Sequence, residues 1–209
     1  MLQMLCALKA TLVPSEPFDA CVWAMAACAF WGMVRFSEVS VNVRSTFSAK
    51  LHLSQKDALL SRNLDSKPYA RLDLPSAKTA HAGQSQSVFL VSQDGVFPLL
   101  GLHNLAAVVP AGPDDPLFSW QDKSGAVRPM VKAKAMDCIN TILTAWGWGT
   151  SFGHSFCIGG ASFYLAQGVS PEIVRIASRW KSLAYETYIQ AFEQVASRHM
   201  ENIATASSR

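Results

Sequence analysis

Cysteine pairs are the first thing missing. The five cysteines, at positions 6, 21, 28, 138 and 157, include no CxxC and leave one over in any pairing. That spacing speaks against a disulfide framework or a zinc site and sets the expectation of reduced thiols in an intracellular protein. Charge is scarce as well, at 16% of residues, while half are apolar, which excludes a disordered chain and demands a sizeable interior. Long hydrophobic runs are also missing. Ala20 to Val34, between Asp19 and Arg35, falls short of the roughly 20 residues that cross a bilayer, so a buried helix is expected there and no membrane span. The chain opens without a basic–apolar–small leader, and no repeat or low-complexity tract interrupts it. Lysine and arginine are absent from 79–122.

The cations lie elsewhere. Residues 35–78 carry eight Lys/Arg against four acids, and 123–134 carry four more. Two basic segments in a chain of net charge +3 suit a polyanion partner, although solvated loops would give the same pattern. The length suits one well-cored domain. We read 1–15 as an N-terminal remnant or linker and 16–209 as that domain. PFDACVWAMAACAFWGMV (17–34) is apolar nearly all round and predicts a helix in the middle of the core, capped by Ser15 or the nearby acids. YARLDLP (69–75) and SQSVFLV (85–91) predict strands joined by the turn SAKTAHAGQ. Helices are predicted over 99–109, 128–147, 154–167, 171–178, 182–192 and 193–205, with a proline-containing loop at 108–120. The expected fold class is mainly α with a small antiparallel sheet.

Each polar candidate taken singly has a plain structural explanation. Arg35 and Glu38, at i and i+3 in RFSE, suffice as an ion pair at a helix end. Lys78 suffices as a solvated turn lysine, His154 as a helix-terminal histidine, Trp180 as core, and Tyr185 with Tyr188 as a packing stripe. Their order is more telling. An arginine in RxxE follows a buried helix, then come lysine in a strand–turn–strand, HxxC, tryptophan, and tyrosine followed by isoleucine. With the phrases LPSAKT, HSFCIGGAS and RWKSLAYETYI, this order resembles the catalytic domain of the tyrosine recombinases, the phage-integrase-like enzymes that break and rejoin DNA. Within them it is similar to the recombinases of eukaryotic Crypton and DIRS-type mobile elements. The resemblance spans residues 16–195.

That resemblance implies a three-stranded sheet in a mostly helical domain and a set of roles. Tyr188 would be the nucleophile that forms a 3′-phosphotyrosyl intermediate, with Tyr185 as its rival. Arg35 would grip the scissile phosphate through paired N–H donors. Lys78 would protonate the leaving 5′ oxygen, and His154 would bond the phosphate and assist proton transfer. Trp180 would donate its indole N–H, and Glu38 would orient Arg35. Neither metal nor nucleotide cofactor is implied. The partner is double-stranded DNA, with self-association on DNA through the C-terminal segment 190–205, and a nuclear location if the source is eukaryotic. Cys157 departs from the pattern, because the family places a second phosphate-clamping arginine there. A decayed or domesticated element protein, a deliberately disabled one, or a site rescued by another cation such as Arg179 or Lys181 would each explain it. The family's N-terminal DNA-clamping domain has no counterpart in 1–15. A DNA-binding or interaction module that kept the fold and lost the chemistry is the rival reading, and a type IB topoisomerase is the rival enzyme.

Overall fold

The computed structural model describes residues 1–75, 86–91 and 98–180. Lys78, Lys181, Tyr185, Tyr188 and the helices expected over 182–192 and 193–205 lie outside the described residues.

The chain begins with α1 (Leu2–Thr11), where the sequence led us to expect a remnant or linker. Leu5 and Leu8 on this helix are fully buried in the same core as the rest of the described residues. Pro17, whose missing N–H costs nothing in a first helical turn, starts α2 (Pro17–Trp31). No side chain caps it at Glu16, so the expected role of Ser15 or the acids as caps is not met. Asp19 instead accepts a hydrogen bond from the Val13 amide at 3.0 Å. Every residue of α2 from Ala20 to Trp31 except Trp23 is buried. It earns that position by having neighbours on all sides: α1, α3 (Pro98–Val108), α4 (Lys132–Ala145), α5 (Ser155–Ala166) and the short strand β4 (Ser119–Gln121).

The three-stranded sheet is antiparallel in the order β1 (Ala58–Arg62), β2 (Pro68–Leu74), β3 (Gln86–Val91). Ala70, Leu72 and Leu74 alternate with Val88 and Leu90 on its buried face. That face closes on the end of α2. A Cβ on Gly32 would stand 2.7 Å from Val88 Cγ1 and 2.9 Å from Leu90 Cδ2, so only glycine lets the sheet approach this closely. A second, two-stranded sheet pairs β4 with β5 (Val127–Pro129). For this reason α4 begins at Lys132 and not at 128 as expected, since 127–129 are held extended by 119–121. The last described helix is α6 (Pro171–Ala177), packed on α5. Among the described residues no helix is long and apolar enough to cross a membrane.

Candidate functional site

After α2 the backbone turns through Met33, whose φ of +49° is rare outside glycine, and delivers Arg35 to a single 3₁₀ turn, Phe36–Glu38. The turn folds Glu38 back onto Arg35. One carboxylate oxygen accepts from the Arg35 amide at 2.9 Å, and the other from Arg35 Nη1 at 3.3 Å. The i, i+3 spacing seen in the sequence is therefore an ion pair, with Glu38 only 5% exposed and Arg35 19%. Among the described residues that contact with Glu38 is the one hydrogen bond the Arg35 guanidinium makes, and its other donors remain available.

The α5 start is stitched to the same place. The Phe36 amide donates to the Gly153 carbonyl at 3.3 Å, and the Phe36 and Phe156 rings pack with centroids 5.0 Å apart. This seam sets His154, exposed at the N-terminus of α5, next to the segment that carries Arg35. One turn on, Cys157 is buried, at 1% exposure, within electrostatic reach of Arg35, Glu38 and Arg179. Burial pushes its thiol up to about 11, with the nearby guanidiniums pulling weakly the other way. Such a thiol is neutral and a poor nucleophile at physiological pH. Cys21 and Cys28 are raised by burial in the same manner. In native protein at mildly alkaline pH, an alkylating reagent should therefore mark exposed Cys6 and spare Cys21, Cys28 and Cys157 until the chain unfolds. Peptide mass mapping before and after denaturant checks this, and rapid native labelling of Cys157 would contradict its burial.

Past α6, Arg179 reaches back to the same carboxylate, its Nη2 lying 3.1 Å from Glu38 Oε2. Trp180 follows, half-buried against Met33, Ala161, Leu165 and Val174, with its amide donating to the Arg175 carbonyl at 3.1 Å. Five of the eight residues singled out from the sequence (Arg35, Glu38, His154, Cys157 and Trp180) are thus gathered around the ends of α2, α5 and α6. The other three, Lys78, Tyr185 and Tyr188, lie outside the described residues.

Two cations join them that the motif order did not single out. Arg179 is one. Lys132 is the other: at the first position of α4 its stem lies over Gly153, where an added Cβ would meet Lys132 Cε at 2.8 Å and Nζ at 3.3 Å. The sequence offers Arg179 only as one of two cations that could make good the missing charge and gives no sign of Lys132, because each reaches the site from far along the chain. Elsewhere the basic segments are less cationic than their sequence suggests. Lys56 pairs with Asp114 at 2.6 Å, Arg71 with Asp73 at 2.9 Å and Arg128 with Asp122 at 2.7 Å, while Arg44 stacks over Trp120 at 5.3 Å. Among the described residues no group of His, Cys, Asp and Glu is arranged to hold a metal ion.

Solved structures share this arrangement of elements. The chain is similar to the XerH site-specific recombinase bound to palindromic difH substrate in a post-cleavage complex, with TM-score 0.63 and 13% identity over 99% of this chain and 51% of that one. The pre-cleavage XerH complex gives 0.60 and 14%, covering 93% and 51%. The Flpe–Holliday junction complex gives 0.56 and 14%, covering 87% and 42%. The fold is that of the tyrosine-recombinase catalytic domain. The chain spans about half the length of these recombinases or less. No family model and no curated protein matches the sequence.

Within that fold the arrangement offers an anion a defined berth. Arg35 and Arg179 share one carboxylate, so the cluster keeps a net positive charge in a largely buried setting, where electrostatic interactions are screened far less than in water. His154 and Lys132 stand on the adjoining seam.

Proposed function

We propose that the chain is a DNA strand-cleaving and rejoining domain of the tyrosine-recombinase type, acting in site-specific recombination or integration. The observation that carries this reading is the Arg35–Glu38–Arg179 cluster beside His154 and Trp180, on a recombinase fold. Arg35 presents unused guanidinium donors that match the non-bridging oxygens of a phosphodiester. Glu38 holds that guanidinium in place and so acts as a positioning residue. Tyr188 attacks phosphorus, the P–O5′ bond breaks, and the departing 5′ oxygen takes a proton from Lys78. The energy of the broken bond is kept in the 3′-phosphotyrosyl ester, which a 5′-hydroxyl reopens in the reverse step, so the cycle needs no nucleotide. His154 steadies the phosphate and relays protons. The motif order, which resembles that of Crypton and DIRS-type recombinases, supports a mobile-element substrate, met in the nucleus where the host is eukaryotic.

Two measurements test this. A duplex carrying a nick near the scissile phosphate traps the ester, so the protein should migrate as a DNA-linked species on a denaturing gel. Tyr188→Phe should abolish that species, and Tyr185→Phe should leave it. Duplex binding should also weaken steeply as salt rises from about 50 to 200 mM, because phosphate contacts release counterions. Cys157 favours one rival. If the protein binds DNA with that salt dependence and forms no ester, it is an inert DNA-binding module on a recombinase fold. Binding that ignores salt would remove both readings.

A further inference from the structure

Arginine is an awkward residue for position 179. Its φ of +60° lies in the left-handed region, where a long side chain is strained. Across from it sits Met33, also left-handed at +49°, and Arg179 Nη2 lies 3.5 Å from the Met33 carbonyl. Two left-handed residues that meet at one contact are a costly construction. What they achieve is to turn the Arg179 side chain inward, to 8% exposure, with its guanidinium on Glu38.

That guanidinium is poorly satisfied where it lies. Of its five N–H groups, the bond to Glu38 at 3.1 Å is the only one of ordinary length. The contacts to the carbonyls of Gly32, Ala177 and Met33 are long, at 3.4 to 3.5 Å, and Nε is buried without a partner among the described residues. Buried donors in folded proteins are ordinarily satisfied, and a strained, buried group with donors to spare marks a place where an acceptor arrives. A purely structural ion pair accounts for this badly. Glu38 is already engaged twice by Arg35, so a second guanidinium on it leaves the cluster cationic instead of neutral. Beside it the small, buried Cys157 is neutral and adds no competing cation.

We propose that Arg179 is a second phosphate-binding guanidinium, sharing with Arg35 the non-bridging oxygens of one DNA phosphate and supplying from the segment before Trp180 the charge that position 157 does not. This rests on the DNA-cleaving reading above. Arg35, the more exposed of the two, forms the outer wall of the anion site, and Arg179 forms its floor.

The test uses the whole chain with a short nicked duplex. Arg179→Gln should lower the slope of log affinity against log salt by about 0.9, the share of one phosphate contact. It should also slow formation of the DNA-linked species by about 10²–10³-fold, the usual effect of losing one transition-state donor. Arg179→Lys should keep the salt slope and recover part of the rate. Adding Cys157→Arg to Arg179→Gln should restore both at least in part, while Cys157→Arg alone should gain little, since two guanidiniums already share the space. An Arg179→Gln protein with an unchanged salt slope overturns the proposal, even if it melts at a lower temperature, because a merely structural arginine would behave that way. Should the variants fail to fold, the wild-type chain still decides. Its Arg179 Nε–H resonance must shift as duplex is added, and a resonance that stays put while binding saturates refutes the assignment. Absence of the DNA-linked species in wild type, with the slope and resonance effects intact, sinks the cleavage reading alone.

Discussion

Gly160→Ala should destabilise the protein by about 3 kcal/mol, the upper part of the range for overpacking a filled interior. Gly160 lies on α5 where that helix crosses α2. A Cβ there would fall inside the carbonyl oxygen of Phe30, 3.0 Å from the carbonyl carbon and 3.3 Å from Met33 Cγ. The obstacle is backbone, so no side-chain rotation relieves it, and the two helices must separate. Separation would also loosen the aromatic contacts of Phe30 and Trp31 with Phe163, whose ring centroids lie 5.9 and 5.3 Å away. Urea titration should show a lower midpoint at an unchanged slope. A loss below about 1 kcal/mol would mean that α2 and α5 do not approach this closely.

Glu38→Ala should cost about as much, 3–5 kcal/mol, the penalty for removing one partner from a buried charged group. The carboxylate holds the Arg35 amide, the Arg35 guanidinium and the Arg179 guanidinium, so its loss leaves two cations facing each other with little water between them. Glu38→Gln should cost less, because the amide oxygen still accepts one of the three bonds. Equal, small losses for the two variants, below about 1 kcal/mol, would show that Glu38 does not organise the arginines.

How much of this was legible depended on whether the determining contacts are local. α2 was legible because a helix that is apolar on every face can only be central. β2 and β3 were legible from their alternation, and their observed limits differ from the expected ones by a residue at the ends. β1 escaped because Ala58–Arg62 is an edge strand with little burial and hence no alternation to read. β4 and β5 escaped because they are three residues each and depend on one another. α1 was passed over although Leu2, Leu5, Leu8 and Leu12 repeat every three or four residues, a helical stripe that the short N-terminal segment disguised. In the site, Arg35 and Glu38 could be paired from their spacing alone. The partnership of Glu38 with Arg179 could not, since 141 positions separate them and it takes the packing of α6 on α5, and of α5 on α2, to bring them together.

The central place of α2 bears on how the protein is made. Pro17–Trp31 is synthesised well before α3 and α5, which cover it and begin only at Pro98 and Ser155. At typical rates of synthesis the helix waits on the order of ten seconds for its last cover. Until α3 is made, α1 is the one described partner of this apolar segment that precedes it in the chain. Its completion is a long-range closure, slow for the same reason that all non-local contacts are slow. A fold that gathers its site around one wholly apolar helix therefore makes its vectorial synthesis, more than its finished state, the moment of greatest exposure to aggregation.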